Sequence, residues 1–237
     1  MNVLTLVQKF CARTGIPSPS QAIGSTDPQV VQLCGLLEEV IEDLTSRATW
    51  SALVQEALFT TANGEDQGLI TTLAPNGFKW VIEDTIYNRT LRLPVYGPIT
   101  AGKWQALKSL PNSGPFYKYR IVRGRLLMNP PAAAGHQCAF EYASKYCVTS
   151  ADGLTYKDYP TTDTDVFLCE DTLLLAGLRW KWKYEKGLEY AEDFRRFEEM
   201  VNNSKSRDGT KPELSMDGAV TTAQPGVFVP SGNWNLP

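Results

Sequence analysis

The sequence contains a single histidine, His136. Zinc sites and general-base catalysis draw heavily on imidazole, so one copy leaves little to build either from. His136 stands just ahead of an alternating run and reads as a strand-edge residue. Cysteine is sparse as well. Cys11, Cys34, Cys138, Cys147 and Cys169 make an odd set with no CxxC spacing. That pattern argues for a reducing compartment and against a disulfide framework or a zinc site. HExxH, GxSxG, a Walker A loop and GxGxxG are all missing, so the common hydrolase and nucleotide motifs are excluded. No stretch approaches the roughly 20 apolar residues of a membrane span. The opening MNVLTLVQKFCARTG lacks the charged-then-apolar order of a secretion signal. The expectation is a protein made in a cytoplasm without a membrane partner, in which the Asn88-Arg89-Thr90 sequon is idle. With a net charge of −3 there is no basic excess to hold nucleic acid by charge alone.

What is present suits a folded core. The 237 residues are 43% hydrophobic and 11% aromatic, enough for one large domain or two small ones. Val3, Leu6, Val7, Phe10 and Cys11 have helical spacing, ended by Gly15 and Pro17. Asp27 before Pro28 reads as an N-cap with proline in the first turn. From there Val30, Cys34, Leu37, Ile41 and Leu44 form a helical seam reaching to about Arg47, widened by Leu33, Leu36 and Val40. The texture then becomes β-like, with short runs at 58–61, 78–82, 85–87 and 91–93 and a short helix from Thr100 to Lys108. Tyr117–Val122 and Leu126–Met128 flank Arg123-Gly124-Arg125 as a hairpin. Residues 138–148 alternate as a half-buried strand. A second long helix is expected from about Glu170 to Val201, and a segment without helix or core pattern follows it.

The expected fold class is α+β. N- and C-terminal helices form a bundle, an antiparallel β-domain is inserted between them, and an extended C-terminal arm follows. The divisions fall at 1–50 for the first helices, 51–160 for the β-rich part, 161–202 for the long helix and 203–237 for the arm. The arm carries too little apolar surface to order alone. Its Val227, Phe228, Val229 and Trp234 are read as anchors on a partner. Along the long helix, Gly177 and Gly187 each cost roughly 1 kcal/mol against alanine, which points to close approach of a neighbour or to a kink. Trp180, Trp182 and Tyr184 point to more than one side of it. These five residues are the expected subunit interface.

Candidate chemistry is thin. Asp163, Asp165, Glu170 and Asp171 lack the spacing of a calcium loop and read as a loop leading into a helix start that favours acids. Neither a metal nor a cofactor is expected. Glu38, Glu39, Glu42 and Asp43 read as a solvated helix face. A glycosidase-type carboxylate pair would need Glu141 with Asp152 or Glu170, and nothing in the spacing brings them together. Arg179, Lys181, Lys183 and Lys186 on the long helix, and Lys118, Arg120, Arg123 and Arg125 on the hairpin, are the basic groups.

Three stretches carry a likeness to a known family. The run from Leu173 to Phe197 behind DTDVFLCED, the GEDQG at 64–68 and IYNRTLRLPVYGPITAGKWQAL at 86–107 together resemble head-to-tail connector proteins of tailed bacteriophages. The closest type is the adaptor, or tail-tube gatekeeper, of short-tailed phages. The resemblance covers about residues 1–200 and rests on overall pattern, with no catalytic motif behind it. It implies a non-enzymatic virion protein at the head–tail junction, assembled in the bacterial cytoplasm. A homo-oligomeric ring, usually twelvefold, would sit beneath the portal, support the tail nozzle protein and continue the channel through which genomic DNA passes without sequence-specific binding. Such channels are often acidic, which makes Glu38, Glu42 and Asp43 candidate lining residues. The alternatives are a tail nozzle or head-completion protein of the same virion, and a cell-wall hydrolase acting during genome delivery.

Overall fold

The computed structural model describes residues 1–109 and 116–209. Its elements run α1 (Val3–Thr14), α2 (Pro28–Arg47), β1 (Val54–Thr60), β2 (Gly64–Leu69), α3 (Ile70–Leu73), β3 (Phe78–Val81), β4 (Tyr87–Asn88) and β5 (Leu93–Pro94). They continue with α4 (Ala101–Ser109), β6 (Lys118–Val122), β7 (Arg125–Ala132), β8 (Gln137–Ser144), β9 (Val148–Thr149), β10 (Tyr156–Lys157), β11 (Val166–Phe167), α5 (Asp171–Glu185) and α6 (Ala191–Asp208). With helices and antiparallel sheets both well represented, the fold is α+β. No helix among the described residues is long and apolar enough to cross a membrane.

Local chemistry sets the first two helices. The Asn2 side chain accepts the Thr5 N–H at 2.9 Å, and α1 buries Val3, Leu6, Val7, Phe10 and Cys11. Asp27 accepts the Gln29 N–H at 2.9 Å with Pro28 in the first turn, so α2 begins where its N-cap pattern places it.

The described chain forms two compact units. The helical unit comprises residues 1–56, 74–81 and 141–209. Within it α5 packs against α1, α2 and α6 around one apolar core that includes Leu6, Phe10, Leu33, Leu37, Leu174 and Phe197. The unit also carries strands: β9 lies between β10 and β11, and β3 pairs with the C-terminal half of β8 through Trp80↔Ala143 and Val81↔Tyr142. The approach to α5 is pinned by Asp165, only 1% exposed. Its carboxylate accepts from Lys157 Nζ at 2.8 Å, the Thr161 N–H at 2.7 Å and the Thr162 hydroxyl at 2.7 Å. Its backbone carbonyl accepts the Val3 N–H at 3.0 Å. Burial works to raise the Asp165 pKa, but Lys157 and the threonine donors outweigh it and hold the carboxyl well below its usual range.

The β unit comprises residues 57–73 and 82–140. Its three-stranded sheet runs β2-β7-β6, with Tyr119↔Met128 and Ile121↔Leu126 paired across the hairpin. β4 pairs with the N-terminal half of β8 and with β5. Tyr119, Leu126, Met128, Trp104 and Phe140 are buried there, and Phe59 meets Phe140 edge-on at 6.0 Å.

Two expectations are corrected. The alternating run is not a half-buried strand through residue 148. In β8 only Gln137 and Glu141 are exposed, because Ala139 and Ala143 are small enough to be covered on the second face. The strand stops at Ser144, whose hydroxyl donates to the Asn76 carbonyl and accepts the Tyr146 N–H. Nor is there one long C-terminal helix from about Glu170 to Val201. α5 ends at Glu185, α6 begins at Ala191, and α6 runs on to Asp208. The break is a Schellman turn. Gly187 takes a left-handed φ of 65°, its N–H reaches the Tyr184 carbonyl at 3.0 Å, and the Leu188 N–H reaches the Lys183 carbonyl at 2.9 Å.

Candidate interaction surfaces

The residues expected at a subunit interface separate into two groups. Gly177 lies inside the helical unit, which corrects the interface reading for it. A Cβ there would meet Val40 Cγ1 at 2.6 Å and Phe197 at 3.1 Å, so the glycine serves packing within the chain. Trp180 rests on α6, with ring centroids 5.1 Å from Phe194 and 6.2 Å from Phe197. Trp182 meets Phe10 of α1 edge-on at 6.0 Å. Both tryptophans are half-buried by their own chain.

Tyr184 and Gly187 belong to the second group, at the corner between α5 and α6. The turn carries Tyr184, Leu188, Tyr190 and Phe194 to the surface with exposures of 55%, 48%, 38% and 38%. Tyr184 and Tyr190 brace the corner edge-to-face at 5.2 Å. Behind it Arg179 and Lys183 both bind Asp193, which fastens α5 to α6. Glu185 and Glu189 are exposed on the corner and form no ion pair among the described residues. The result is an exposed apolar corner edged by Glu185 and Glu189, with Lys186 between them donating to Gln32.

A concave counterpart lies in the β unit. Tyr96, Ile99, Ala106 and Leu107 line a cleft of about 380 Å³ between α4 and β6, with Lys103 and Lys118 also in its wall. Arg120 follows on β6 and Arg123 at the hairpin turn. Arg125 and Lys108 are engaged by Asp66 and Glu65 at 2.6 and 2.9 Å. Lys103, Lys118, Arg120 and Arg123 have no carboxylate partner among the described residues.

Charge follows the division into units. The described β unit holds eight Lys and Arg against four Asp and Glu, a net +4. The described helical unit holds fourteen against twenty, a net −6. The overall −3 conceals this opposition.

The acids considered for a channel occupy different settings. The Glu38 carboxyl is pushed up by burial and by the nearby Glu42. Glu42 accepts from the Tyr159 hydroxyl. Asp43 is bound by Arg47 at 2.9 Å, and Arg47 also reaches Glu198 at 2.6 Å. The arm residues Val227, Phe228, Val229 and Trp234 lie outside the described residues.

Other reactive groups are taken up structurally. His136 Nδ1 lies 3.3 Å from the buried Asn88 amide, and the His136 backbone N–H donates to the Thr61 hydroxyl at 3.0 Å. Burial pushes the thiols of Cys34 and Cys138 up to about 11, Cys34 with further contributions from Glu38 and Asp163. Protonated thiols are poor nucleophiles. Cys147 and Cys169, 22 residues apart, are joined as a disulfide with Cα atoms 6.3 Å apart. The sequence spacing pointed away from a disulfide framework; folding brings the start of β9 beside the start of α5. Among the acids once grouped as possible ligands, Asp163 accepts the Ala22 and Ile23 N–H groups and Glu170 accepts from Thr172 and Ser204. Asp152 is held in its own turn by Ser150 and the Leu154 N–H. No cluster among the described residues is arranged to hold a metal ion.

No protein-family model matches this sequence, and no curated protein matches it. The functional reading therefore rests on the surfaces.

Proposed function

We propose that the chain is a non-enzymatic structural adaptor that forms a ring, of about twelve copies by the family resemblance, between the portal and the tail of a short-tailed bacteriophage virion. The observation that carries this reading is the α5–α6 corner, where four large apolar side chains stand exposed on a rigidly fastened turn. Rigid exposed aromatics of this kind are what protein interfaces use as anchors. In this reading the helices form the bundle that carries the ring. The arm, through Val227, Phe228, Val229 and Trp234, grips the portal or an adjacent subunit, and the nozzle protein binds below. Arg47 neutralises Asp43, which leaves Glu38 and Glu42 as the acids for a channel wall along which DNA slides.

Mixing the purified chain with portal rings and counting the added copies by native mass spectrometry tests the proposal. About twelve copies per portal ring is the expected outcome. Six copies, or no binding at all, would move the protein down the tail or out of the connector.

A further inference from the structure

We infer that the α5–α6 corner of one copy seats in the α4–β6 cleft of the next, so that helical and β units alternate around the assembly. The inference rests on the ring reading and names the contact that would close it. Three features of the described surface meet in this pairing. The corner is apolar and stands open to solvent at Tyr184, Leu188 and Tyr190. The cleft is concave and apolar, walled by Ile99 and Leu107. The charges around the two are opposite on balance: Glu185 and Glu189 edge the corner, where Lys186 donates to Gln32, and Lys103 and Lys118 line the cleft.

The occupant follows from the same features. A phosphate backbone would match the lysines and waste the apolar wall. A second copy of this chain matches both, because its helical unit carries the −6 that answers the β unit's +4. Lysine and arginine can guard an open strand edge against pairing, but the outer side of β6 is already bonded to Tyr96 and Ile99 at residues 117–119, and Lys103 stands on a helix. Because the two patches are different surfaces of one chain, the contact is heterologous. Repeated, it closes into a ring when the rotation divides the circle and otherwise runs on as a filament.

Charge exchange between full-length chains tests this directly. One variant reverses the cleft (K103E with K118E) and another reverses the corner (E185K with E189K). All four side chains lie outside the core, and circular dichroism of each variant checks the fold. Sedimentation velocity at low salt reads assembly. Each variant alone should associate at least about tenfold more weakly than wild type, and so should L188D. An equimolar mixture of the two charge variants should recover association to near the wild-type level, because cleft and corner are again complementary between unlike copies. Assembly should also weaken as salt rises, since exposed charges are screened. Variants that assemble like wild type, a mixture no better than its components, or a wild-type chain that is monomeric at every concentration would each overturn the contact. Rings that ignore all the substitutions would leave the adaptor reading standing with another contact. Open filaments that obey the charge exchange would keep the contact and remove the ring.

Discussion

Asp165 shows what one side chain carries in this protein. Its carboxylate, 1% exposed, gathers donors from Lys157, Thr161 and Thr162, and its carbonyl fixes the start of α1. A depressed folded-state pKa means its contribution is complete above the unfolded carboxyl's ordinary value of about 4 and is lost as pH falls through the folded value. Acid unfolding of the wild type should therefore include a steep loss of stability below about pH 4. Asp165→Asn should lose about 2–3 kcal/mol at neutral pH, because a buried charged hydrogen-bond set is broken, and its acid transition should be shallower. Urea titrations at several pH values measure both. The sequence showed Asp165 only as one acid in a cluster, since its partners reach it through the fold of the 157–165 loop.

Two glycines in one stretch act at the level of the element, for opposite reasons. Gly177 lies in the middle of α5, where Val40 Cγ1 would stand 2.6 Å from a Cβ. Gly187 has open space around it and a φ of 65°. Gly177→Ala gains roughly 1 kcal/mol of helix propensity against about 1–3 kcal/mol of overpacking, for an expected net loss of about 1 kcal/mol. Gly187→Ala should cost about 1–2 kcal/mol through left-handed strain alone. Measured against Val40→Ala alone, the first cost should shrink and the second stay unchanged, as denaturant midpoints of the three single and two double variants would show. From sequence both glycines were visible as costs. The break at the second was hidden, because Tyr190, Phe194, Phe197 and Val201 continue a four-three apolar seam straight past it. Only the turn's own hydrogen bonds distinguish a kinked helix from two helices.

At the level of the whole molecule, the described residues form a buried apolar core of their own, while the arm's apolar anchors lie outside them. Deleting residues 212–237 should therefore leave the thermal unfolding midpoint within a few degrees of the full chain. It should weaken attachment to portal rings by about tenfold or more. Tight portal binding by the shortened chain would show that the anchors play no part. The basic hairpin was legible as a string of lysines and arginines, but its significance was not. Net charge is an average over the chain, and the opposition of +4 and −6 emerges only once residues distant in sequence are sorted into their units.

The sequence by itself determined the α+β class, the limits of α1 and α2, the N-cap of α2, the β6–β7 hairpin and the stock of aromatic side chains on the last helices. These depend on residue spacing and on hydrogen bonds between near neighbours, which periodicity and turn chemistry express directly. Tertiary structure alone decided which aromatics are spent inside and which remain outside. Trp180 and Trp182 are covered by Phe194, Phe197 and Phe10, whereas the Gly187 turn leaves Tyr184 and Leu188 uncovered. Burial is a property of what packs on a residue from elsewhere in the chain, and no local pattern contains it.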